Sequence, residues 1–212
     1  MCGASSGDSP EGMWRTPPVP PMLGGHESFV GLDGVTIADF WRFALPDFKM
    51  NNARGYLAEF LVHRALGSAR SRGEWHSHDV ETEDGLCIEV KTSAYLQAWE
   101  QRQLSDIRFT GLRSKRWNPR TGYADEETYN AHVYVFAVQT ARSHEEYDPL
   151  DVGQWEFFVL GRPVVERLGR KSMGYATVRR HAGGSVAYSG LAERIRAADP
   201  RRVPGQRCAT DE

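Results

Sequence analysis

Residues 79–91 have the sequence D-V-E-T-E-D-G-L-C-I-E-V-K, a pattern that predicts a β-hairpin with strands over residues 74–83 and 86–92. Gly85 suits the turn, because glycine readily adopts the left-handed backbone conformation that a short hairpin loop needs. Centring the turn on Asp84 pairs Val80 with Ile88, and a slip by one residue would mix the two faces. Side chains alternate along a strand, so the predicted register gives one apolar face, formed by Val80, Leu86, Ile88 and Val90.

The opposite face of the hairpin carries charged side chains, because the same register places Asp79, Glu89 and Lys91 together. Two carboxylates about 5 Å apart repel each other by roughly 3 kcal/mol at an effective dielectric constant of about 20. A divalent cation turns this repulsion into coordination, and Mg²⁺ is commonly held by one or two carboxylates with water and phosphate oxygens. The pattern therefore predicts metal-assisted phosphodiester hydrolysis, in which Asp79 and Glu89 bind Mg²⁺, or Mn²⁺ in its place, and Lys91 assists the attacking water. The alternative is a half-exposed hairpin whose outer face is simply charged.

The same residues resemble the signature of the PD-(D/E)xK nuclease superfamily. Glu89-Val90-Lys91 corresponds to its E-x-K strand and Asp79 to its upstream aspartate, although His78 and not a proline precedes Asp79. A looser resemblance, to uncharacterised bacterial proteins with this nuclease core, extends from residue 40 to about residue 188. The resemblance implies a restriction-endonuclease-like α/β fold, with a mixed β-sheet flanked by helices in a single domain, and a Mg²⁺-dependent endonuclease that acts on DNA.

The resemblance also implies supporting site residues. Glu59 lies on a helix before the hairpin, where many members carry an extra acidic residue, and Gln97 follows the E-x-K strand, as a polar residue often does. Both would tune the metal or the water, and the carbonyl of Val90 would complete the metal shell. Glu59 lies one step from the apolar stripe of the helix predicted for residues 51–66, so it either borders a cleft or faces solvent. That stripe consists of Leu57, Phe60, Leu61 and Ala65.

A second acidic-x-Lys triplet lies within Pro46-Asp47-Phe48-Lys49, which spells the superfamily name literally. It falls between two predicted helices, without an apolar strand before it and without a hairpin to supply a partner carboxylate, so we interpret it as coincidental. Lys91 stands out further because the chain has only four lysines among 26 basic residues. Lysine and arginine are not interchangeable at a catalytic position.

The rest of the chain predicts the elements that surround the hairpin. Residues 131–139 form an apolar run typical of a strand that is covered on both faces. The other predicted elements are a helix over residues 37–45, a strand over residues 155–160, a helix that opens at Pro163, and a last helix over residues 191–198. One nuclease-like domain of residues 29–200 is expected between a disordered tail rich in Pro, Gly and Ser (residues 1–28) and a polar C-terminal tail (residues 201–212).

Residues 113–120 are the one concentrated basic segment of a chain whose net charge is −2. They predict a loop in which Arg113, Lys115 and Arg116 contact phosphates and Trp117 stacks on a base. A solvated loop with a half-buried tryptophan explains the same pattern equally well. A nuclease of this overall charge needs a basic rim near its site, and this segment is the candidate for it.

Composition and length indicate how many domains and which cellular compartment to expect. A chain of 212 residues with 40% hydrophobic content suits one domain. No apolar run approaches the roughly 18 residues that a membrane span needs, no signal-peptide pattern opens the chain, and the three cysteines form no disulfide framework. A cytoplasmic location without membrane contact is therefore expected.

DNA is the expected partner. Cleavage of both strands needs either a homodimer or two successive visits by one molecule, and sequence specificity needs surface loops or a protein partner. Other interpretations stay open: a catalytically silent DNA-binding module of the same fold, a metal-dependent hydrolase of another phosphoester, and a protein-interaction module.

Overall fold

The computed structural model describes residues 18, 20–68, 77–118 and 120–202. They form a mixed α/β architecture, as the sequence predicts. The helices are α1 (Ile37–Ala44), α2 (Asn51–Leu66), α3 (Arg162–Leu168), α4 (Tyr175–Ala182) and α5 (Leu191–Ala197). The strands are β1 (Val80–Glu81), β2 (Cys87–Ala94), β3 (Arg108–Phe109), β4 (Ser114–Asn118), β5 (Gly122–Thr128), β6 (Val133–Gln139), β7 (Trp155–Gly161) and β8 (Met173–Gly174).

The chain divides into two compact units, one that ends at Pro46 and one that begins at Asp47. This boundary lies inside the single domain predicted for residues 29–200. The first unit contains α1, whose first turn is closed by a capping box between Thr36 and Asp39. All predicted site residues belong to the second unit. Most of the predicted tails, residues 1–17, 19 and 203–212, lie outside the described residues.

A four-stranded sheet with the order β1-β2-β6-β7 forms the centre of the second unit. Strand β2 runs parallel to β6, whereas β1 is antiparallel to β2 and β7 is antiparallel to β6. The sheet is therefore mixed, and the hairpin of β1 and β2 lies at one side of it. All seven residues of β6 are buried, which confirms the prediction of an interior strand covered on both faces.

Each face of this sheet packs against its own hydrophobic core. Helices α2 and α5 cover one face, where Ile88 and Val90 of β2 meet Val135 of β6. Helices α3 and α4 cover the other face, where Tyr134 and Phe136 of β6 are buried. Because side chains alternate along β6, the strand contributes to both cores. Full burial of each such side chain stabilises the fold by roughly 1.5–3 kcal/mol.

The hairpin has the predicted register. Val80 pairs with Ile88, and the Asp79 N–H donates a hydrogen bond to the Ile88 carbonyl over 3.0 Å. Gly85 has a φ of +77°, and its N–H donates to the Thr82 carbonyl over 2.9 Å, which closes the turn. The first strand is shorter than predicted, because regular pairing begins only at Val80 within the described part of the hairpin. Residues 74–76 of that predicted strand lie outside it.

Helix α2 has the predicted bounds and ends at Gly67, which has a φ of +64°. Its buried face differs from the predicted stripe, because Phe60 is exposed and the smaller Ala58 lies against the sheet. The buried residues of this core-facing side are Ala58, Leu61, Val62 and Leu66. Glu59 adjoins Ala58 and lies one helical turn from Val62, so it borders the buried face.

The prediction of a loop over residues 113–120 is wrong. Ser114–Asn118 form strand β4, which pairs with β5 as a separate two-stranded antiparallel sheet. Every residue of β4 is exposed, so the strand has no apolar face, and the alternation that marks half-buried strands is missing from the sequence. In the part of the chain that the structure describes, no helix is long and apolar enough to cross a membrane.

Candidate active site

Asp79, Glu89 and Lys91 come together at the point where β1 begins. Asp79 lies immediately before β1, and the other two residues lie on β2. The Oδ2 atom of Asp79 accepts a hydrogen bond from the Val90 N–H over 2.7 Å. The Nζ atom of Lys91 lies 2.5 Å from Oε1 of Glu89. The structure thus brings together the three side chains that the hairpin register predicts on one side.

Within the described residues, the regular pairing of β1 with β2 begins only at Val80. Backbone groups of alternate residues face the same edge of a strand. The carbonyl of Ile88 faces β1, where it accepts from Asp79, and so the backbone groups of Val90 face the same edge. The Val90 N–H donates its hydrogen bond to the carboxylate of Asp79 and not to the backbone of a neighbouring strand. The Val90 carbonyl therefore lies on the edge that carries the Asp79 carboxylate.

The surroundings of Glu89 oppose its ionisation. Only 15% of its side chain is exposed. Burial, followed by the negative charge of Asp79, raises the pKa of Glu89 to about 7, although Lys91 acts in the opposite direction. Glu59 adds a smaller upward contribution to this pKa. Near neutral pH, this carboxyl group is therefore balanced between its protonated and ionised forms.

Lys91 stays protonated in the same environment. Burial lowers the pKa of Lys91, but the contact with Glu89 and the charges of Asp79 and Glu59 outweigh burial, so the net shift is upward. Burial and the charges of Asp79 and Glu59 raise the pKa of Glu89, whereas the pKa of Lys91 rises because all three carboxyl groups stabilise its ammonium form. The lysine gains from all three, whereas Glu89 is repelled by the other two.

Glu59 reaches this cluster from α2, where it is half-buried. It influences both Glu89 and Lys91 electrostatically, so it faces the site and not bulk solvent alone. The sequence left open whether Glu59 borders a cleft or faces solvent. In the structure it lies at the border of the carboxylate cluster.

The donor atoms at this edge fit a hard divalent cation. Asp79 and Glu89 provide carboxylate oxygens and Val90 provides a carbonyl oxygen, and oxygen ligands of this kind suit Mg²⁺ and Mn²⁺. A cation would also offset the repulsion that raises the pKa of Glu89. Within residues 18, 20–68, 77–118 and 120–202, no group of three or more His, Cys, Asp or Glu side chains could hold a metal by itself. Besides the two carboxylates, the shell would include the Val90 carbonyl together with water or substrate oxygens.

Gln97 is buried and fully engaged within the protein. Its Oε1 accepts from Arg54 Nη1 over 3.3 Å. Its Nε2 donates to the Ala94 carbonyl over 3.0 Å and to Ser105 Oγ over 3.2 Å. These contacts suit a residue that positions the chain after β2 better than one that contacts metal or water directly.

Arg54 is the partner of Gln97 and a residue that the sequence analysis did not single out. Its Nε donates to Thr92 Oγ1 over 3.1 Å, and its Nη1 donates to the Lys49 carbonyl over 3.0 Å. Burial lowers the pKa of this guanidinium. The bonds tie the first turn of α2 to the residue that follows Lys91, so they orient the helix that carries Glu59 relative to β2. Nothing in the sequence distinguishes Arg54 from the other arginines.

Replacing Gln97 with Ala is expected to lower the free energy of unfolding by about 1–2 kcal/mol, because it removes a hydrogen-bond acceptor from the buried Arg54. Urea denaturation followed by circular dichroism measures this loss. Gln103→Ala, at an exposed position in the same connection, is the matched control and should change stability by less than about 0.5 kcal/mol. Equal stabilities of the two variants would argue against a positioning role for Gln97.

Lys49 lies outside every strand, as the interpretation of residues 46–49 as coincidental requires. Its Nζ is 3.7 Å from Asp47 Oδ2 and 5.1 Å from the centroid of the Tyr147 ring. No hairpin brings a second carboxylate to this lysine among the contacts described for it. It therefore serves as a matched control for Lys91.

The predicted nucleic-acid contacts differ in accessibility. Arg113 is partly buried, where its Nη2 donates to the Glu127 carbonyl over 2.9 Å. Arg116 is exposed, and its Nε donates to Asn130 Oδ1 over 2.8 Å. Lys115 and Trp117 are exposed on β4. Arg113 is therefore an anchor of this strand, and the other three are accessible to a ligand.

No protein-family model matches the chain, and no curated protein matches it. The assignment of a function consequently rests on the geometry and electrostatics of the Asp79–Glu89–Lys91 cluster.

Proposed function

We propose that this protein is a metal-dependent nuclease that hydrolyses phosphodiester bonds of DNA. The observation that carries the proposal is the geometry of the cluster: Glu89, of whose side chain only 15% is exposed, contacts the ammonium group of Lys91, and the Val90 N–H fixes Asp79 at the same edge. Burial and the charge of Asp79 also raise the pKa of Glu89. Strongly perturbed carboxyl groups with specific charged neighbours are concentrated at functional sites. Here the cluster also contains the oxygen donors for a divalent cation and a protonated amine.

In this proposal Asp79, Glu89 and the Val90 carbonyl would hold Mg²⁺ or Mn²⁺, and Glu59 would tune the charge of the site. The bound cation supplies polarisation of the phosphoryl oxygen and neutralises charge on the phosphate. The hydrogen bond from the Val90 N–H fixes the Asp79 carboxylate at the edge of β2. This bond would keep the carboxylate in place as a ligand for the cation.

Lys91 would act on the reacting groups themselves. Its contact with Glu89 holds the ammonium group beside the carboxylates. An ammonium group has three N–H donors, so it can orient the attacking water and also donate to a phosphate oxygen. Donors that are positioned in advance stabilise the negative charge that develops on phosphorus in the transition state.

The architecture supports a PD-(D/E)xK fold for this site. The E-x-K residues lie on β2, between the antiparallel β1 and the parallel β6. Helix α2, which carries Glu59, packs on the same strand pair through Ala58, Leu61 and Val62. We propose DNA as the substrate because exposed basic and aromatic side chains of β4 lie in the same unit as the cluster.

Incubation of the protein with plasmid, linear duplex and single-stranded DNA, and with RNA, tests this function. Parallel reactions contain Mg²⁺, Mn²⁺ or EDTA. We expect DNA products that depend on either metal and vanish with EDTA. If folded protein binds DNA without cutting it, the catalytically silent module is correct. Hydrolysis of bis(p-nitrophenyl) phosphate without cleavage of any nucleic acid would identify a different phosphoesterase.

A further inference from the structure

Strands β4 and β5 form an exposed ribbon, which we define as residues 114–118 and 120–128. None of these residues belongs to either hydrophobic core of the second unit. A two-stranded hairpin without a core is marginally stable in water. The ribbon therefore needs anchors at its base.

Asn130, which is buried, anchors the base of the ribbon. Its Nδ2 donates to Ser114 Oγ over 2.8 Å and to the Ser114 carbonyl over 3.1 Å. Its Oδ1 accepts from Arg116 Nε over 2.8 Å and from Thr128 Oγ1 over 2.7 Å. One side chain thus joins both strands and holds the ribbon in a fixed direction.

The base of the ribbon is linked to the sheet face that carries Glu89. The guanidinium of Arg113 lies 5.4 Å from the ring centroid of Tyr129, and the Tyr129 ring packs edge-on against Tyr134 at a centroid distance of 6.2 Å. Tyr134 is the residue of β6 that lies beside Glu89 in the sheet register. Side chains of such paired residues lie on the same face of a sheet. The base of the ribbon therefore adjoins the sheet face that carries Glu89.

The far end of the ribbon combines aromatic rings with positive charge. Trp117 pairs with Tyr123 across the strands, and the two residues are 39% and 63% exposed. Side chains of directly opposed residues have Cβ atoms about 4.5–5.5 Å apart, so these rings form one aromatic surface. Arg120 lies in the turn between the two strands and is exposed, so it adds positive charge at this end.

The acidic residues of β5 lie nearer the base, opposite Lys115 and Arg116. They are Asp125, Glu126 and Glu127. The carboxylate of Glu127 is 2.6 Å from Lys171 Nζ, so part of this negative charge is balanced within the protein. The exposed aromatic pair and Arg120 therefore lie at the far end of the ribbon, whereas Lys115 and Arg116 lie nearer the base, beside these carboxylates and Asn130.

We propose that the far end of the ribbon binds unpaired nucleotides of single-stranded DNA, an inference that rests on the proposed function. Trp117 and Tyr123 stack on the bases, and Arg120 contacts a neighbouring phosphate. Unpaired bases offer their faces to aromatic side chains, and such stacking tolerates any base sequence. A duplex hides those faces within its own stack. The preferred substrate is therefore single-stranded DNA, or a single-stranded segment of a larger DNA.

Fluorescence anisotropy tests the proposal with a labelled thymidine 20-mer and a labelled 20-base-pair duplex, both in EDTA so that binding is measured without cleavage. We expect the wild-type protein to bind the single strand more tightly than the duplex. The double variant Trp117→Ala/Tyr123→Ala should lose about 10- to 100-fold in affinity for the single strand. Phe43→Ala, which removes an exposed aromatic side chain from α1, should bind as the wild type does.

The conservative variant Trp117→Phe/Tyr123→Phe separates stacking from a merely structural role, because it keeps two aromatic faces and should retain most of the affinity. Unchanged single-strand affinity in the double alanine variant, or tighter binding of the duplex by the wild type, would overturn the inference. Metal-dependent cleavage that persists alongside either result would leave the proposed nuclease function standing. Ribbon-dependent binding of the single strand without cleavage under any metal condition would overturn the nuclease function alone.

Discussion

Lys91→Ala is expected to lower the single-turnover rate of DNA cleavage by about 10²- to 10³-fold at saturating Mg²⁺. Removal of one preorganised donor to a developing oxyanion typically has an effect of this size. The contact between Lys91 and Glu89 holds this donor at the carboxylate cluster, and no change of fold is expected to follow its removal. Supercoiled plasmid nicking, sampled over time with the enzyme in excess, measures the rate. Lys91→Arg should fail to restore it, because the planar guanidinium differs from the compact ammonium group in shape.

Lys49→Ala is the matched control for this experiment. Lys49 also follows an acidic-x pattern, but it lies outside every strand and beside Asp47. This variant should cleave at the wild-type rate, since its backbone carbonyl still accepts from Arg54. A wild-type rate in Lys91→Ala would refute the assigned role. An inactive Lys49 variant with an active Lys91 variant would move the site to residues 46–49.

Glu89→Gln is expected to stabilise the metal-free protein above pH 7. The pKa of Glu89 is raised from 4.5 to about 7 in the folded protein, so the folded state holds its proton more tightly than the unfolded state. The resulting stabilisation is complete below pH 4.5 and is lost as the pH rises through 7. At pH 8 the variant avoids an ionisation that costs up to about 3 kcal/mol, although loss of the Lys91 contact offsets part of this gain. Urea denaturation measures the free energy of unfolding of both proteins at pH 5 and pH 8. The excess stability of Glu89→Gln over the wild type should be large at pH 8 and much smaller at pH 5.

Bound metal should stabilise the wild type and leave the stability of Glu89→Gln unchanged. A carboxylate must be deprotonated to bind a cation, so Mg²⁺ should raise the melting temperature of the wild type more at pH 8 than at pH 6. A ligand at 100 times its dissociation constant stabilises the native state by about 2.7 kcal/mol. Glu89→Gln should show no such increase and no cleavage, whereas Glu145→Gln, at an exposed position, should respond as the wild type does. Equal metal-induced shifts in all three proteins would exclude Glu89 as a ligand.

The register of the hairpin could be predicted from the local sequence pattern. The apolar alternation of residues 80–90 predicts that Val80 pairs with Ile88, and this is the observed register. Buried strand β6 and helix α3 were also predictable, the first from its continuous apolar run and the second from Pro163 at its start. Strand β4 was not, because a ribbon exposed on both faces has no apolar periodicity.

The sequence alone determined that Asp79, Glu89 and Lys91 lie on one side of the hairpin, because strand alternation and turn conformation are local properties of the chain. The tertiary structure decided how strongly Glu89 resists ionisation, because its pKa depends first on burial and then on neighbouring charges. It also decided which face of α2 is buried, and it placed Arg54 against Gln97 across 43 positions of sequence. These features depend on contacts between segments that are distant along the chain, and such contacts exist only in the folded molecule.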